Sequence, residues 1–112
     1  ARVHKVRCLD PTVMSAAQTV ALATREGAKV LGLEHLTGTL TPGKEADLIV
    51  VDLDQPHLTP LYDPYSHLVY AARAADVRHV MVAGRWVVRD GHHAGADAVF
   101  ARYRAAMADL AR

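Results

Sequence analysis

The run Leu48-Ile49-Val50-Val51 constrains the fold of this chain more than any other stretch of it. It is β-branched and lacks a clean apolar/polar alternation, so it reads as a strand covered on both faces. The approach to it is equally determined. In Thr41-Pro42-Gly43-Lys44 the proline presets the first central torsion of a turn and the glycine accepts the positive φ of the second, which gives a type II turn. A strand covered on both sides needs layers above and below, and the remaining sequence has to be searched for them.

Upstream, the apolar and small residues Ala16, Ala17, Val20, Ala21, Ala23, Ala28, Val30 and Leu31 recur at helical spacing in an alanine-rich stretch. Ser15 and Gln18 have the Ser-x-x-Gln form of a capping box, so the first of two short helices starts there. Thr24 is placed to cap the second, and Gly32 to end it in a left-handed conformation. Downstream, Pro56, Pro60 and Pro64 make residues 54–66 an extended connection. Val77–Val82 and Arg85–Val88, joined through Ala83-Gly84, then read as a β-hairpin. From Ala96 to Arg112, Val99, Phe100, Tyr103, Met107 and Leu110 recur every three or four residues and predict an amphipathic helix. Three strands are too few to close a sheet, so its other members are expected outside this chain.

Thirteen Lys and Arg against twelve Asp and Glu leave a formal charge of +1, scattered along the sequence. This excludes an electrostatic footprint for nucleic acid or an anionic membrane surface. Leu48–Val51 is far shorter than the ~20 apolar residues a bilayer requires. The single cysteine, Cys8, permits no intrachain disulfide, which fits a cytoplasmic setting. Ala1-Arg2-Val3-His4-Lys5-Val6 reads like the middle of a helix, and the expectation is one ordered part of a longer polypeptide.

Several residues invite a catalytic or metal role, and each has a plainer reading. His4 and Cys8 share one helix face, but two ligands do not make a closed metal site. His92-His93 sits beside Asp90-Gly91 in what reads as an exposed loop. Ser66 and His67, adjacent on an extended segment, would point apart and could not form a nucleophile-base pair, so His67 is expected to bond to backbone. Asp47 and Asp52 bracket the strand five residues apart and would face opposite sides. Asp47 is expected to accept backbone amides of the Pro42-Gly43 turn. Tyr62, Tyr65, Tyr70 and Trp86 read as core and interface packing. No residue of the chain is assigned a catalytic, cofactor-binding or metal-ligating role.

The stretch Gly38-Thr-Leu-Thr-Pro-Gly-Lys-Glu-Ala-Asp-Leu-Ile-Val-Val-Asp52 resembles the C-terminal hallmark of the amidohydrolase superfamily, G-x-[IL]-x-x-G-x-x-A-D-[IL]. Thr24-Arg-Glu-Gly-Ala-Lys-Val-Leu-Gly-Leu33 is similar to the helix pair that precedes it in that family. Val80-Met-Val-Ala-Gly-Arg-Trp-Val-Val-Arg-Asp-Gly91 resembles its closing hairpin. The stretch between Asp52 and Ala72 is similar to the 5-methylthioadenosine/S-adenosylhomocysteine deaminases, with triazine chlorohydrolases also compatible.

The resemblance implies an α/β parent, a (β/α)8 barrel plus a small β-sandwich built from both chain ends. Residues 1–35 would be the last barrel helices, 36–92 the C-terminal strands of the sandwich, and 93–112 a C-terminal amphipathic helix. It also implies a divalent metal, zinc or iron, in the complete enzyme, where it would lower the pKa of a bound water that attacks the amine-bearing carbon of a purine. All its ligands would precede Ala1, so this chain alone would bind no metal and be inactive. Its partners would be the N-terminal remainder of the same enzyme, a small-molecule substrate, and further copies in a homo-oligomer. The rivals are another branch of the superfamily, such as a guanine deaminase, and a self-sufficient β-sandwich binding module.

Overall fold

The computed structural model of the protein describes residues 1–110. Ser15 opens α2 (Ala16–Ala23) through the expected capping box: its hydroxyl accepts from the Gln18 amide (3.2 Å), and the Gln18 side chain accepts from the Ser15 amide (2.8 Å). This satisfies two backbone donors that a helix start otherwise leaves bare. Thr24 does not cap α3 (Arg25–Val30) as expected. Its hydroxyl instead turns back to the carbonyl of Val20 at 2.7 Å, a bond that competes with capping. Gly32 takes the predicted left-handed conformation, φ 69°.

Before these lies α1 (Arg2–Cys8), which ends on a left-handed Leu9 and buries none of its residues. It is pinned at one point. Arg2 donates to the carbonyl of Tyr70, and the cations of Arg2 and Lys5 sit 5.8 and 5.3 Å from the Tyr70 ring centre.

The strands β1 (Leu48–Val51), β2 (Val77–Val82), β3 (Arg85–Arg89) and β4 (His92–His93) form one antiparallel sheet in the order β1-β2-β3-β4. The hairpin turns through Ala83 (φ 48°) and Gly84 (φ 75°), the paired positive torsions that match strand twist. The fourth strand is a correction: His92-His93 is not a loop but pairs with Arg89 and Val88 through a second tight turn at Asp90-Gly91. The register slips between Val50 and Val51 and again between Val80 and Met81, local bulges that bend the sheet. β1 is an edge, and Ile49 and Val50 stand exposed. The double cover its sequence calls for is not supplied by the described residues.

The connection expected to be extended over residues 54–66 is broken by helical turns at Pro56–Leu58 and Pro64–Ser66 (α4), the latter widening into a π turn over His67–Ala71. Pro56 and Pro64 each start a turn, where a missing N–H costs nothing. Asp63 caps α4, accepting from the amides of Tyr65 (3.2 Å) and Ser66 (3.0 Å). The Ser66 hydroxyl, then its amide, hold the Asp63 carboxyl below the usual carboxylate range. The last element is α5 (Ala96–Leu110), within the predicted range; residues 111 and 112 lie outside the described ones.

Helices and sheet meet through Asp47. One carboxylate oxygen accepts from Thr37 Oγ1 at 3.0 Å and the other from the Ala83 amide at 2.8 Å. Asp47 therefore grips the hairpin turn rather than the Pro42-Gly43 turn expected to hold it. Beside it, the Glu45 amide donates to the Leu36 carbonyl (2.8 Å), and Gly38 (φ 91°) runs close against α3.

Packing is sparse. Among the described residues only Ala16, Ala28, Leu58 and Asp76 are buried, and the radius of gyration is 18.3 Å, where a compact domain of about 100 residues has ≈ 13 Å. Tyr62 and Tyr65 are exposed rather than core, and Trp86 meets His79 edge-on with ring centres 5.4 Å apart. No helix of the described residues is long and apolar enough to cross a membrane.

Two substitutions test this packing by urea unfolding of the complete protein. Leu58→Ala removes the most buried side chain, 1% exposed, and is expected to cost about 2–5 kcal/mol. Gly38→Ala places a Cβ 2.7 Å from that of Ala28 at a positive φ, and is expected to cost more than the ~1–2 kcal/mol of the left-handed torsion alone.

Candidate functional site

The buried charged residue among the described residues is Asp76, whose side chain lies at the foot of β2. It lies there because Ala74–Asp76 forms a short 3-10 turn feeding directly into the strand, so that the Asp76 carboxylate folds back over the turn. One carboxylate oxygen accepts from the Arg73 amide (2.7 Å) and from His57 Nε2 (2.9 Å). Its main-chain carbonyl accepts from the Asp52 amide (2.8 Å), continuing the β1-β2 pairing past the bulge. The Arg73 amide, then the His57 ring, hold the Asp76 carboxyl below its ordinary range against the opposing pull of burial.

Asp52 organises the other side. Its carboxylate accepts from the Asp54 amide (3.0 Å) and from Gln55 Nε2 (2.9 Å), while the Thr59 hydroxyl donates to the Gln55 carbonyl (3.0 Å). These bonds close the Pro56–Leu58 turn over Leu58. The arrangement is a clasp whose polar groups are turned on one another, with no nucleophile and no second acid aimed at a common point. A reacting site would need such convergence.

The residues singled out from sequence are not brought together elsewhere. His4 and Cys8 are exposed on α1. His92 and His93 are exposed on β4, and His93 Nδ1 accepts from the Gly95 amide (3.0 Å). Ser66 and His67 lie on helical turns rather than an extended segment, and both serve Asp63: Ser66 donates its hydroxyl to the carboxylate, and His67 Nδ1 bonds the Asp63 carbonyl at 2.9 Å, the backbone bond expected of it. Asp47 and Asp52 bond to separate partners and share none. Among the described residues no group of three or more His, Cys, Asp or Glu side chains is placed to hold a metal ion.

Sequence reasoning missed His57 and Asp76. They lie nineteen residues apart, His57 inside the proline-rich connection and Asp76 beyond it, and no local spacing links them. The turn at Asp63-Pro64 did carry a signal, an N-cap aspartate followed by proline at the first helical position. An open concavity lies between α1 and α2, lined by apolar Val13, Met14, Ala17 and Leu22 with His4 and the Arg25–Glu26 pair (3.2 Å) at its rim. It is an uncovered face rather than an enclosed pocket.

The model of the Amidohydrolase family matches residues 1–87. A 5-methylthioadenosine/S-adenosylhomocysteine deaminase of Syntrophus aciditrophicus is 51% identical over 90 residues, 80% of this chain and 20% of that protein. A 5'-deoxyadenosine deaminase of Methanosarcina acetivorans is 52% identical over 85 residues, 76% of this chain and 19% of that protein. Among solved structures, a zinc-bound adenosine deaminase from Xanthomonas campestris superposes with a TM-score of 0.84 at 33% identity, over 92% of this chain and 24% of that one. A zinc complex of atrazine chlorohydrolase from Arthrobacter aurescens gives 0.72 at 26% identity, over 82% and 20%. The chain spans about a fifth of the length of the curated relatives it matches. With a helix pair, the hallmark strand and the first strand of the hairpin inside the matched region, this chain belongs to the amidohydrolase family.

Proposed function

We propose that this chain is the structural C-terminal part of a hydrolytic deaminase acting on 5'-modified adenosines, such as 5-methylthioadenosine and S-adenosylhomocysteine. In that reaction water replaces the purine amine, leaving a carbonyl and releasing ammonia. The observation that carries the reading is the half-identity to deaminases of these substrates over four-fifths of the chain. That the two structural relatives above are zinc complexes supports a divalent metal in the complete enzyme, zinc or iron. The residues described here do not fit such a metal, so no step is assigned to it through them.

On this reading residues 1–35 pack as the last helices of a (β/α)8 barrel, and residues 36–92 complete a small β-sandwich begun elsewhere in the polypeptide. Residues 93–112 carry a terminal amphipathic helix. The bare faces of α1, α2 and β1 support it, since each presents apolar side chains with nothing against them. A triazine chlorohydrolase is the second reading, favoured by the likeness to atrazine chlorohydrolase.

The deciding assay gives the purified complete enzyme 5-methylthioadenosine, S-adenosylhomocysteine, 5'-deoxyadenosine and atrazine in parallel. Ammonia release from the nucleosides, with the ultraviolet change of adenine to hypoxanthine, is the expected result. Chloride release from atrazine with no ammonia from any nucleoside would move the assignment to the second reading.

Asp76 gives a separate test of the structural role. In the complete enzyme Asp76→Asn is expected to lower the melting temperature while leaving kcat for deamination within about threefold, since it touches no reacting atom. The depressed Asp76 carboxyl stabilises the fold above the unfolded-state value and loses that contribution as pH falls through its folded one. The gap in melting temperature between wild type and variant should therefore be full near neutrality and close below about pH 4.

A further inference from the structure

Among the described residues four histidines bond through a ring nitrogen, and they divide by what that nitrogen must do. His57 Nε2 meets the Asp76 carboxylate (2.9 Å) and His67 Nδ1 meets the Asp63 carbonyl (2.9 Å). Both partners are acceptors, which take a hydrogen from the neutral ring and from its cation alike. His79 Nδ1 instead faces the Asp90 amide (3.2 Å), and His93 Nδ1 faces the Gly95 amide (3.0 Å). A backbone N–H only donates, so in these two rings Nδ1 is the bare acceptor and the proton sits on Nε2. A second proton would go to Nδ1 and set two donors against each other.

The two acceptor rings hold one short stretch. His79 ties down the Asp90-Gly91 turn that leads into β4, and His93 ties down the step from β4 into α5. Between them β4 is two residues long and pairs only with Val88 and Arg89. Its other backbone support is the Gly91 amide on the Arg78 carbonyl (2.8 Å) and the Ala94 amide on the Val87 carbonyl (3.2 Å). His93 is exposed and His79 half-buried, so both rings can exchange protons with solvent.

We propose that β4 with these two histidines is an acid-released strap, closed on the edge of β3 while both rings are neutral and opened when they take up protons. Imidazole is the side chain that changes charge between about pH 5 and 8. The groups around the rings give them unequal shares. Opposite His79 on β1 stands uncharged Val50, and on its other side Arg89 lies over Trp86, whose ring meets His79 edge-on. The Asp90 carboxylate is 3.9 Å from His79 Nε2 and 3.7 Å from Arg78. A charged His79 thus exchanges the Asp90 amide for a carboxylate it must share with Arg78, and its loss is partly offset.

His93 has no such compensation. Uncharged Val88 stands opposite it, its neighbour His92 takes on the same charge in acid, and among the described residues it makes no ion pair. Its charge would also stand at the start of α5, where bare amides disfavour a cation and the acid of the first turn is Asp97. The junction into α5 therefore opens before the turn. Opening uncovers the backbone groups of Val88 and Arg89 that β4 had paired.

Hydrogen exchange in the complete protein tests this, read as protection corrected for the intrinsic rate at each pH. Between about pH 8 and about pH 5, protection over residues 90–96 should fall about tenfold as the two bonds are lost. Residues 52–60, held through Asp76 and His57, should keep theirs. Asparagine is the control, because its Oδ1 can stand where Nδ1 stands and accepts at every pH. His93→Asn should remove most of the fall and His79→Asn a smaller share, with protection near pH 8 retained in both. Wild-type protection over residues 90–96 that does not change with pH overturns the proposal. So does a fall that persists when both histidines are replaced by asparagine.

Discussion

Asp47 is the joint on which the arrangement of this chain depends. The helix pair α2–α3 lies before it, and the strands of the sheet all lie after it. The carboxylate bridges them by taking the Thr37 hydroxyl on one oxygen and the Ala83 amide on the other. A carboxylate is suited to this because it has acceptor capacity on two sides and binds amides more strongly than a neutral group does. Its place in the Ala46-Asp47-Leu48 portion of the hallmark segment gives that segment a physical meaning. The aspartate sets where the hairpin turn sits relative to the helix pair, and the apolar residues after it begin the first strand.

Burial shows why the chain reads as part of something larger. A chain of this length could bury most of its apolar side chains if it closed on itself. Among the described residues the buried set is two alanines, one leucine and one aspartate, and the molecule is drawn out to 55 × 38 × 29 Å. The polar bonds are nonetheless well made at the capping box, the Asp63 cap, the Asp47 joint and the Asp76 clasp. These local polar bonds are made while apolar cover is missing, the combination expected where a neighbouring layer is supplied from elsewhere.

What the sequence disclosed and what it hid divide along the same line. The Ser15-Gln18 box, the Ala83-Gly84 hairpin and the helix α5 were legible because each depends on residues a few positions apart. The Asp76–His57 bond and the grip of Asp47 on Ala83 were not, since each joins positions separated by a long intervening stretch. β4 was missed because two residues carry no period. The turns at Pro56 and Pro64 were hidden by reading proline only as a breaker, when at the first position of a helical turn it is a starter.

The sheet's connectivity also orders events during folding. β2, β3 and β4 are joined by tight turns and can zip within microseconds, whereas β1 must be brought home across the whole proline-rich stretch. Until the Asp52 and Asp76 backbone groups meet, the early three-stranded ribbon shows a vacant flank on β2, and afterwards the vacancy passes to β1. The nascent chain thus carries an adhesive border through two successive stages, and the speed with which a covering layer arrives decides whether that border finds its proper neighbour or another molecule.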